Sequence, residues 1–390
     1  MKPCILICAG YYLPGFKAGG PLQTMANMTN AVGDRYELRI ITSDRDLGSA
    51  EAYPGIKKGE WTRVGKAWVR YLAPEEQNFT TFKRILNETH FDLVYFQSFF
   101  SPKFTLLPRL VLLLGKKKGI PALLAPRGEF AQGCLNHKKL KKKIFLFFFN
   151  LFVKKWWNCF YHVSSADEAA ALQRVLGNEK HFVALNFNAQ EVVDEDLKCV
   201  SDSSALRLAF LGRVDVQKNI DYAINALSMV KSNVIFDIYG PGQDKEYMQH
   251  CLALAAQVPP HVKIEFKGPL AHADVLPTLC AYDLFFYPTK NENFGHVIHE
   301  ALRAALPVVI SDRTPWHDVN RRNAGRELSL SDPSVFAAFI DEYANMPLEA
   351  RVAMHQNARQ YGIDVSRDPK ILEANVNMFD TLIKENNKKD

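Results

Sequence analysis

The stretch Pro288-Thr289-Lys290-Asn291-Glu292-Asn293-Phe294-Gly295-His296-Val297-Ile298-His299-Glu300-Ala301-Leu302 follows directly on the apolar run Leu284–Tyr287. Such a run reads as a parallel strand buried on both faces, so the stretch lies at the carboxyl edge of a sheet. Asn293 is placed to cap a helix, and Gly295 gives a ligand room to approach the backbone. The helix start then offers free N–H groups and the positive end of its dipole to phosphate or sugar oxygens. Glu292 stands in the loop and Glu300 about a turn and a half inside the helix. One carboxylate can reach a sugar ring while the other reaches a ribose. Spacing alone equally allows a solvated Glu292 and a paired core Glu300.

Working outward, Leu206–Leu211, Val234–Tyr239, Val262–Phe266 and Pro307–Ile310 read as further strands, with a helix over Asp221–Val230. The turn Leu211-Gly212-Arg213-Val214-Asp215-Val216-Gln217-Lys218-Asn219 is again post-strand. Its arginine fork and lysine point charge suit a diphosphate, although cations in a loop are also ordinary surface residues. In the first half, Cys4–Ala9, Tyr36–Thr42, Asp92–Gln97, Pro121–Ala125 and Phe160–Val163 read as strands. Gly19-Gly20 precedes a helix from Leu22 to Val32 with Pro21 at its start, and can supply backbone N–H groups. Ser165 and Glu168 have capping-box spacing. Two blocks of β-α alternation predict an α/β chain with two Rossmann-like domains, each an open parallel sheet, facing across a cleft.

A chain of 390 residues exceeds one ordinary core, which favours two domains. With 47% hydrophobic and 23% charged residues it reads as globular, not disordered. The net charge of +6 fits an anionic substrate or surface and gives no case for nucleic acid. Seven scattered cysteines include no C-x-x-C pair, so buried free thiols are expected and a zinc site is not. Asp44-Arg45-Asp46 has D-x-D spacing but reads as an ordinary post-strand loop, and no metal is expected. The apolar run Ile5–Ala9 is too short for a signal peptide, which with reduced cysteines points to the cytoplasm.

The second half resembles the donor-binding domain of the retaining GT-B glycosyltransferases, family 4, known as glycosyl transferases group 1. The matching pieces run in order over roughly residues 205–315. They are Leu211-Gly212-Arg213 with Lys218-Asn219, Tyr239-Gly240-Pro241-Gly242, Phe266-Lys267-Gly268, Glu292-x-Phe294-Gly295 with Glu300-Ala301, and Leu306-Pro307-Val308-Val309. The polar stretch 191–204 reads as a linker and Ile371–Lys384 as an amphipathic helix with a solvated tail, so an acceptor-side domain over 1–190, a donor-binding domain over 205–365 and a C-terminal helix and tail over 366–390 are expected. The resemblance implies that Glu292 contacts the transferred sugar, the Phe294-Gly295 amides its hydroxyls or the phosphates, and Glu300 the ribose. Arg213 and Lys218 would neutralise the departing diphosphate, and Gly240 and Lys267 would lie in loops around the base. It further implies a metal-independent hexosyltransferase that uses a nucleotide diphosphate-sugar as co-substrate and no cofactor. Relatives carry a histidine at a strand end of the first domain. Here that place reads Ala125-Pro126-Arg127-Gly128-Glu129, which makes Arg127 its expected replacement and turns Glu129 toward the acceptor.

Residues 138–157 hold Lys138, Lys139, Lys141, Lys142 and Lys143, then Ile144-Phe145-Leu146-Phe147-Phe148-Phe149, then Leu151-Phe152-Val153 and Lys154-Lys155-Trp156-Trp157. The apolar run is too short to span a bilayer. Lysines beside aromatics suit an interfacial helix on anionic lipid, while a core helix with a solvated lysine face is the plainer alternative. A peripheral site on the inner face of the plasma membrane would fit a lipid-linked saccharide acceptor in surface polysaccharide synthesis, such as capsule or lipopolysaccharide. Two rival functions share the architecture: a nucleotide-sugar epimerase, and an inactive membrane-associated assembly partner.

Overall fold

Fourteen strands among the described residues divide into two sheets, and their order follows from where each apolar run sits in the chain. The computed structural model describes residues 2–131, 134–135, 139–187, 205–242 and 244–387. The chain forms two compact units, one of residues 1–188 with 368–390, the other of residues 189–367. The expected linker over 191–204 lies outside the described residues.

In the first unit the strands are β1 (Cys4–Cys8), β2 (Glu37–Ser43), β3 (Trp61–Val64), β4 (Ala67–Leu72), β5 (Leu93–Phe96), β6 (Ala122–Leu124), β7 (Phe160–Val163) and β8 (His181–Val183). Their order is β3-β4-β2-β1-β5-β6-β7-β8, parallel except for the β3–β4 hairpin. Every residue of β1 and β5 is buried, as a sheet covered on both faces requires. The hairpin leaves little signature in the sequence, because Trp61–Val64 is only half buried and shows no continuous apolar run.

The second unit holds β9 (Leu206–Leu211), β10 (Val234–Tyr239), β11 (Val262–Gly268), β12 (Leu284–Tyr287), β13 (Val308–Ser311) and β14 (Gly325–Leu328). All pairs are parallel, in the order β11-β10-β9-β12-β13-β14. Read from β9 this is the 3-2-1-4-5-6 winding of a Rossmann domain, which reverses direction between β9 and β12. The corresponding reversal in the first unit falls between β1 and β5.

The last helix, Pro369–Asn387, groups with the first unit. Its Met378, Phe379 and Leu382 join the first core, where burial contributes about 1.5–3 kcal/mol per side chain. Asp380 accepts a hydrogen bond from Tyr36 Oη at 2.6 Å, and Asn375 Nδ2 donates to the Leu185 carbonyl at 2.9 Å. Among the described residues no helix is long and apolar enough to cross a membrane.

Candidate functional site

In the second unit, the loops leaving β9 and β12 meet at the point where the sheet reverses. Asn219 adopts a left-handed conformation (φ 61°) ahead of the helix Ile220–Leu227, and its Nδ2 donates to the Pro288 carbonyl at 2.9 Å. Lys290 N donates to Gln217 O at 2.9 Å, and Thr289 Oγ1 to the same oxygen at 3.0 Å. Asp215 folds the first loop back by accepting from the Gln217 and Lys218 amides at 3.0 and 3.1 Å. The two loops therefore behave as one frame.

That frame brings Lys218 and Glu292 together. Lys218 Nζ lies 2.6 Å from Glu292 Oε2, which also accepts from Tyr287 Oη at 2.9 Å. Lys218 Nζ further sits 5.3 Å from the centre of the Tyr287 ring. Burial alone would raise the Glu292 carboxyl, but the Lys218 ammonium and the Tyr287 hydroxyl together hold it below its usual range. Burial would likewise lower Lys218, and the Glu292 charge more than offsets it, holding the lysine above its usual range. Tyr287 ends β12 inside a continuous apolar run, so nothing in the pattern marked it as polar machinery; its place immediately before the loop is the only cue.

The helix does not start where the sequence reading put its cap. It runs His296–Arg303, its N-cap is Gly295 with φ 79°, and no side chain caps it. Asn293 instead turns its amide N–H to Glu292 Oε1 at 3.3 Å. A Cβ on residue 295 would stand 2.9 Å from Ile298 Cδ1 and 3.1 Å from Glu292 Cγ, so the glycine is needed both for its φ and for space. The Phe294 ring is buried 5.5 Å from Trp316, while its carbonyl accepts from Trp316 Nε1 at 2.5 Å. Phe294 thus anchors the loop to the core. Glu300 is buried on this helix, and burial, against a smaller opposing effect of Arg303, pushes its carboxyl up to about 7.

Gly240 follows β10, and its Cβ would lie 1.8 Å from Gly212 O, so only glycine lets these loops approach so closely. Arg213 is exposed, with Nη2 3.3 Å from Asp215 Oδ2. Lys267 departs from expectation, since it lies inside β11 and not in a loop. Its ammonium is paired with Glu265 and lies 3.6 Å from Asp237 Oδ1.

In the first unit Gly19 (φ 68°) is the N-cap of the helix Gly20–Val32. The loop before it is tied down by Asp46, whose Oδ2 accepts from the Phe16 and Lys17 amides at 2.9 and 3.1 Å. Asp44 pairs with Arg45 Nε at 2.8 Å and Lys58 Nζ at 3.2 Å. These contacts occupy both carboxylates of the D-x-D stretch. Arg127, half-buried with φ 53°, stands at the carboxyl edge beyond β6. Its Nε and Nη2 donate to Gln97 Oε1 at 3.0 and 2.7 Å, its Nη2 to Tyr95 Oη at 3.0 Å, and its Nη1 to Asn186 Oδ1. Glu129 does not reach outward. It accepts from Ser98 Oγ at 2.6 Å and from the Phe99 and Phe100 amides at 2.5 and 3.1 Å, clamping the loop after β5.

The profile for "Glycosyl transferases group 1" matches residues 198–361, the stretch that builds the second unit. An uncharacterised 41.2 kDa protein in the cps region of Klebsiella pneumoniae is 22% identical over 331 residues, covering 80% of this chain and 86% of that one. Among solved structures, Anabaena HepE in complex with UDP and glucose superposes with a TM-score of 0.69 at 15% identity, covering 97% of this chain and 99% of that chain. WaaG, a glycosyltransferase involved in lipopolysaccharide biosynthesis, does so with a TM-score of 0.61 at 15% identity, covering 95% and 99%. The two parallel-sheet domains match the fold of these GT-B enzymes.

Proposed function

We propose that the chain is a group 1 glycosyltransferase that moves a hexose from a nucleotide diphosphate-sugar to a saccharide acceptor with retention of configuration. The observation that carries this reading is the Lys218–Glu292–Tyr287 cluster at the reversal point of the second sheet, beside the Gly295 helix start. Lys218, Arg213 and the helix N–H groups stabilise the growing charge of the departing diphosphate. Because these cations do the work of a divalent ion, transfer proceeds without metal. Glu292 accepts sugar hydroxyls and positions the ring, and Glu300 holds the ribose. When phosphate oxygens approach Lys218, its ammonium is shared between them and Glu292.

The acceptor is proposed to be lipid-linked, and the protein to work at the inner face of the plasma membrane in surface polysaccharide synthesis. In support, the helix Lys139–Phe148 and its continuation to Trp157 turn Phe145, Phe149 and Trp157 inward but expose Phe147, Phe148, Leu151, Phe152 and Trp156. Exposed Lys141, Lys143 and Lys155 stand in the same segment. Such an apolar face flanked by lysines is suited to anionic lipid. Lys138 lies outside the described residues.

The test is transfer from UDP-, GDP- and ADP-sugars to a membrane lipid extract, with the anomeric configuration of the product read by NMR. Release of one nucleoside diphosphate that rises with the extract, giving a glycoside of unchanged configuration, is expected. An inverted product would sink the retaining assignment. A changed sugar nucleotide formed without acceptor would mean an epimerase, and no turnover of any donor the inactive partner.

A further inference from the structure

The guanidinium of Arg127 is the outer end of a hydrogen-bond chain that runs back into the first sheet. His162 Nε2 lies 2.8 Å from the Ala184 carbonyl, and because a carbonyl only accepts, Nε2 carries the proton. Burial, helped by the nearby Arg127 charge, pushes this imidazole down to about 3, so the ring is neutral and Nδ1 is bare. Nδ1 is bonded to the buried Tyr95 hydroxyl, which must therefore donate to it. The lone pairs of Tyr95 Oη are left for Arg127, whose Nη2 donates at 3.0 Å.

Counting its bonds, Arg127 uses Nε once, Nη2 twice and Nη1 once. A guanidinium has five N–H groups, so one Nη1–H has no protein acceptor among the described residues. Every acceptor it does have is neutral, namely an amide of Gln97, an amide of Asn186 and a phenol. The charge is thus not cancelled by contact with a carboxylate. Arg127 also holds a φ of 53°, a conformation that costs an L-residue energy and that clusters at working sites.

We propose that Tyr95 and His162 are positioning residues that aim the spare N–H and uncancelled charge of Arg127 at an electron-rich oxygen of a substrate bound at the first unit's carboxyl edge. The inference rests on the glycosyltransferase reading for its substrate, but not for its geometry. His162 sets the direction of the Tyr95 hydroxyl, and Tyr95 gives Nη2 a second acceptor beside Gln97, tightening the guanidinium's orientation. Replacing His162 by a residue that cannot accept lets the hydroxyl turn, and the arginine loses one of the four bonds that hold it.

The experiment is a double-mutant cycle of Tyr95→Phe and His162→Phe, each with and without Arg127→Ala, together with melting temperatures and the His162 tautomer by ¹⁵N NMR. Arg127→Ala is expected to lower kcat about a hundredfold, the size of losing one oriented donor. Tyr95→Phe and His162→Phe each lower kcat about tenfold with KM little changed, and neither lowers it further once Arg127 is gone. His162→Gln, which can still accept, recovers most of the loss. Losses that add on the Arg127→Ala background would show a merely structural role and overturn the proposal. A wild-type rate in Arg127→Ala would overturn it too, while leaving the transferase reading intact. If wild type itself transfers nothing, the functional reading fails. The tautomer then decides the geometry: a proton on Nδ1 overturns the chain, and one on Nε2 supports it.

Discussion

Glu300 carries the clearest pH signature. Burial raises its carboxyl from an ordinary value to about 7, so the folded protein prefers it protonated. The group therefore favours folding most at low pH, and that contribution is lost as pH climbs from the ordinary carboxylate range to about 7. The charged form, however, is the better acceptor for ribose hydroxyls. Donor KM is therefore expected to fall as pH rises through about 7, by roughly tenfold between fully protonated and fully charged enzyme. In Glu300→Gln the KM profile should flatten over the same range; a variant that keeps the wild-type profile would remove Glu300 from the donor site. Glu292 behaves oppositely, since its carboxyl is held low by Lys218 and its contribution is lost only as pH falls through that depressed value.

At the scale of elements, the donor-side loops depend on two glycines for different reasons. Gly295 provides a left-handed N-cap next to Glu292, while Gly240 permits the backbone of one loop to touch that of another. An alanine at 240 would place its Cβ 1.8 Å from Gly212 O, where no rotamer change relieves the clash. We expect Gly240→Ala to cost about 2 kcal/mol and to lower Tm by roughly 4–8 °C. Because Gly212 opens the loop that carries Arg213 and Lys218, donor affinity should drop along with stability. Calorimetry of the variant with and without nucleoside diphosphate checks both; an unchanged Tm would mean that the loops part at no cost.

These loops were the most legible part of the sequence. Leu206–Leu211, Val234–Tyr239 and Leu284–Tyr287 are apolar runs, broken only by Arg207 and Asp237, with glycine or proline immediately after them, so strand and post-strand loop are legible together. Detail at the helix start was not legible. Asn293 has the chemistry of a cap, but the left-handed turn at Gly295 pulls the first helical residue past it. The strand read as Val262–Phe266 continues through Lys267 to Gly268, so the expected loop begins too early by two residues and Lys267 stays in β11 beside Asp237. The Arg127 chain was invisible for a deeper reason. Tyr95, His162 and Asn186 come from three separate segments, and only the parallel order β5-β6-β7-β8 sets them side by side.

At the scale of the whole molecule, the segment from Lys139 to Trp157 divides its aromatics between two tasks. Phe145 and Phe149 stack 5.9 Å apart in the first core, and buried Arg109 fixes the far end by donating to the Trp157 carbonyl at 3.0 Å. The outward Phe147, Phe148, Phe152 and Trp156 are more than half exposed, an arrangement the first core does not need. Phe148→Ser/Phe152→Ser is expected to keep the melting temperature and to abolish sedimentation with phosphatidylglycerol vesicles. Wild-type binding should weaken as salt rises, each surface lysine adding about 1 kcal/mol at low ionic strength. Equal binding to neutral and anionic vesicles would contradict this account.

If a nucleotide diphosphate-sugar sits at the reversal point of the second sheet, on Lys218, Glu292 and the Gly295 helix start, one of UDP, GDP and ADP should bind wild type without metal in titration calorimetry. Lys218→Met should weaken that binding at least about tenfold, the loss of one charge-assisted contact to phosphate. Binding of equal strength in the variant, or of none of the three in wild type, would remove the donor from this place.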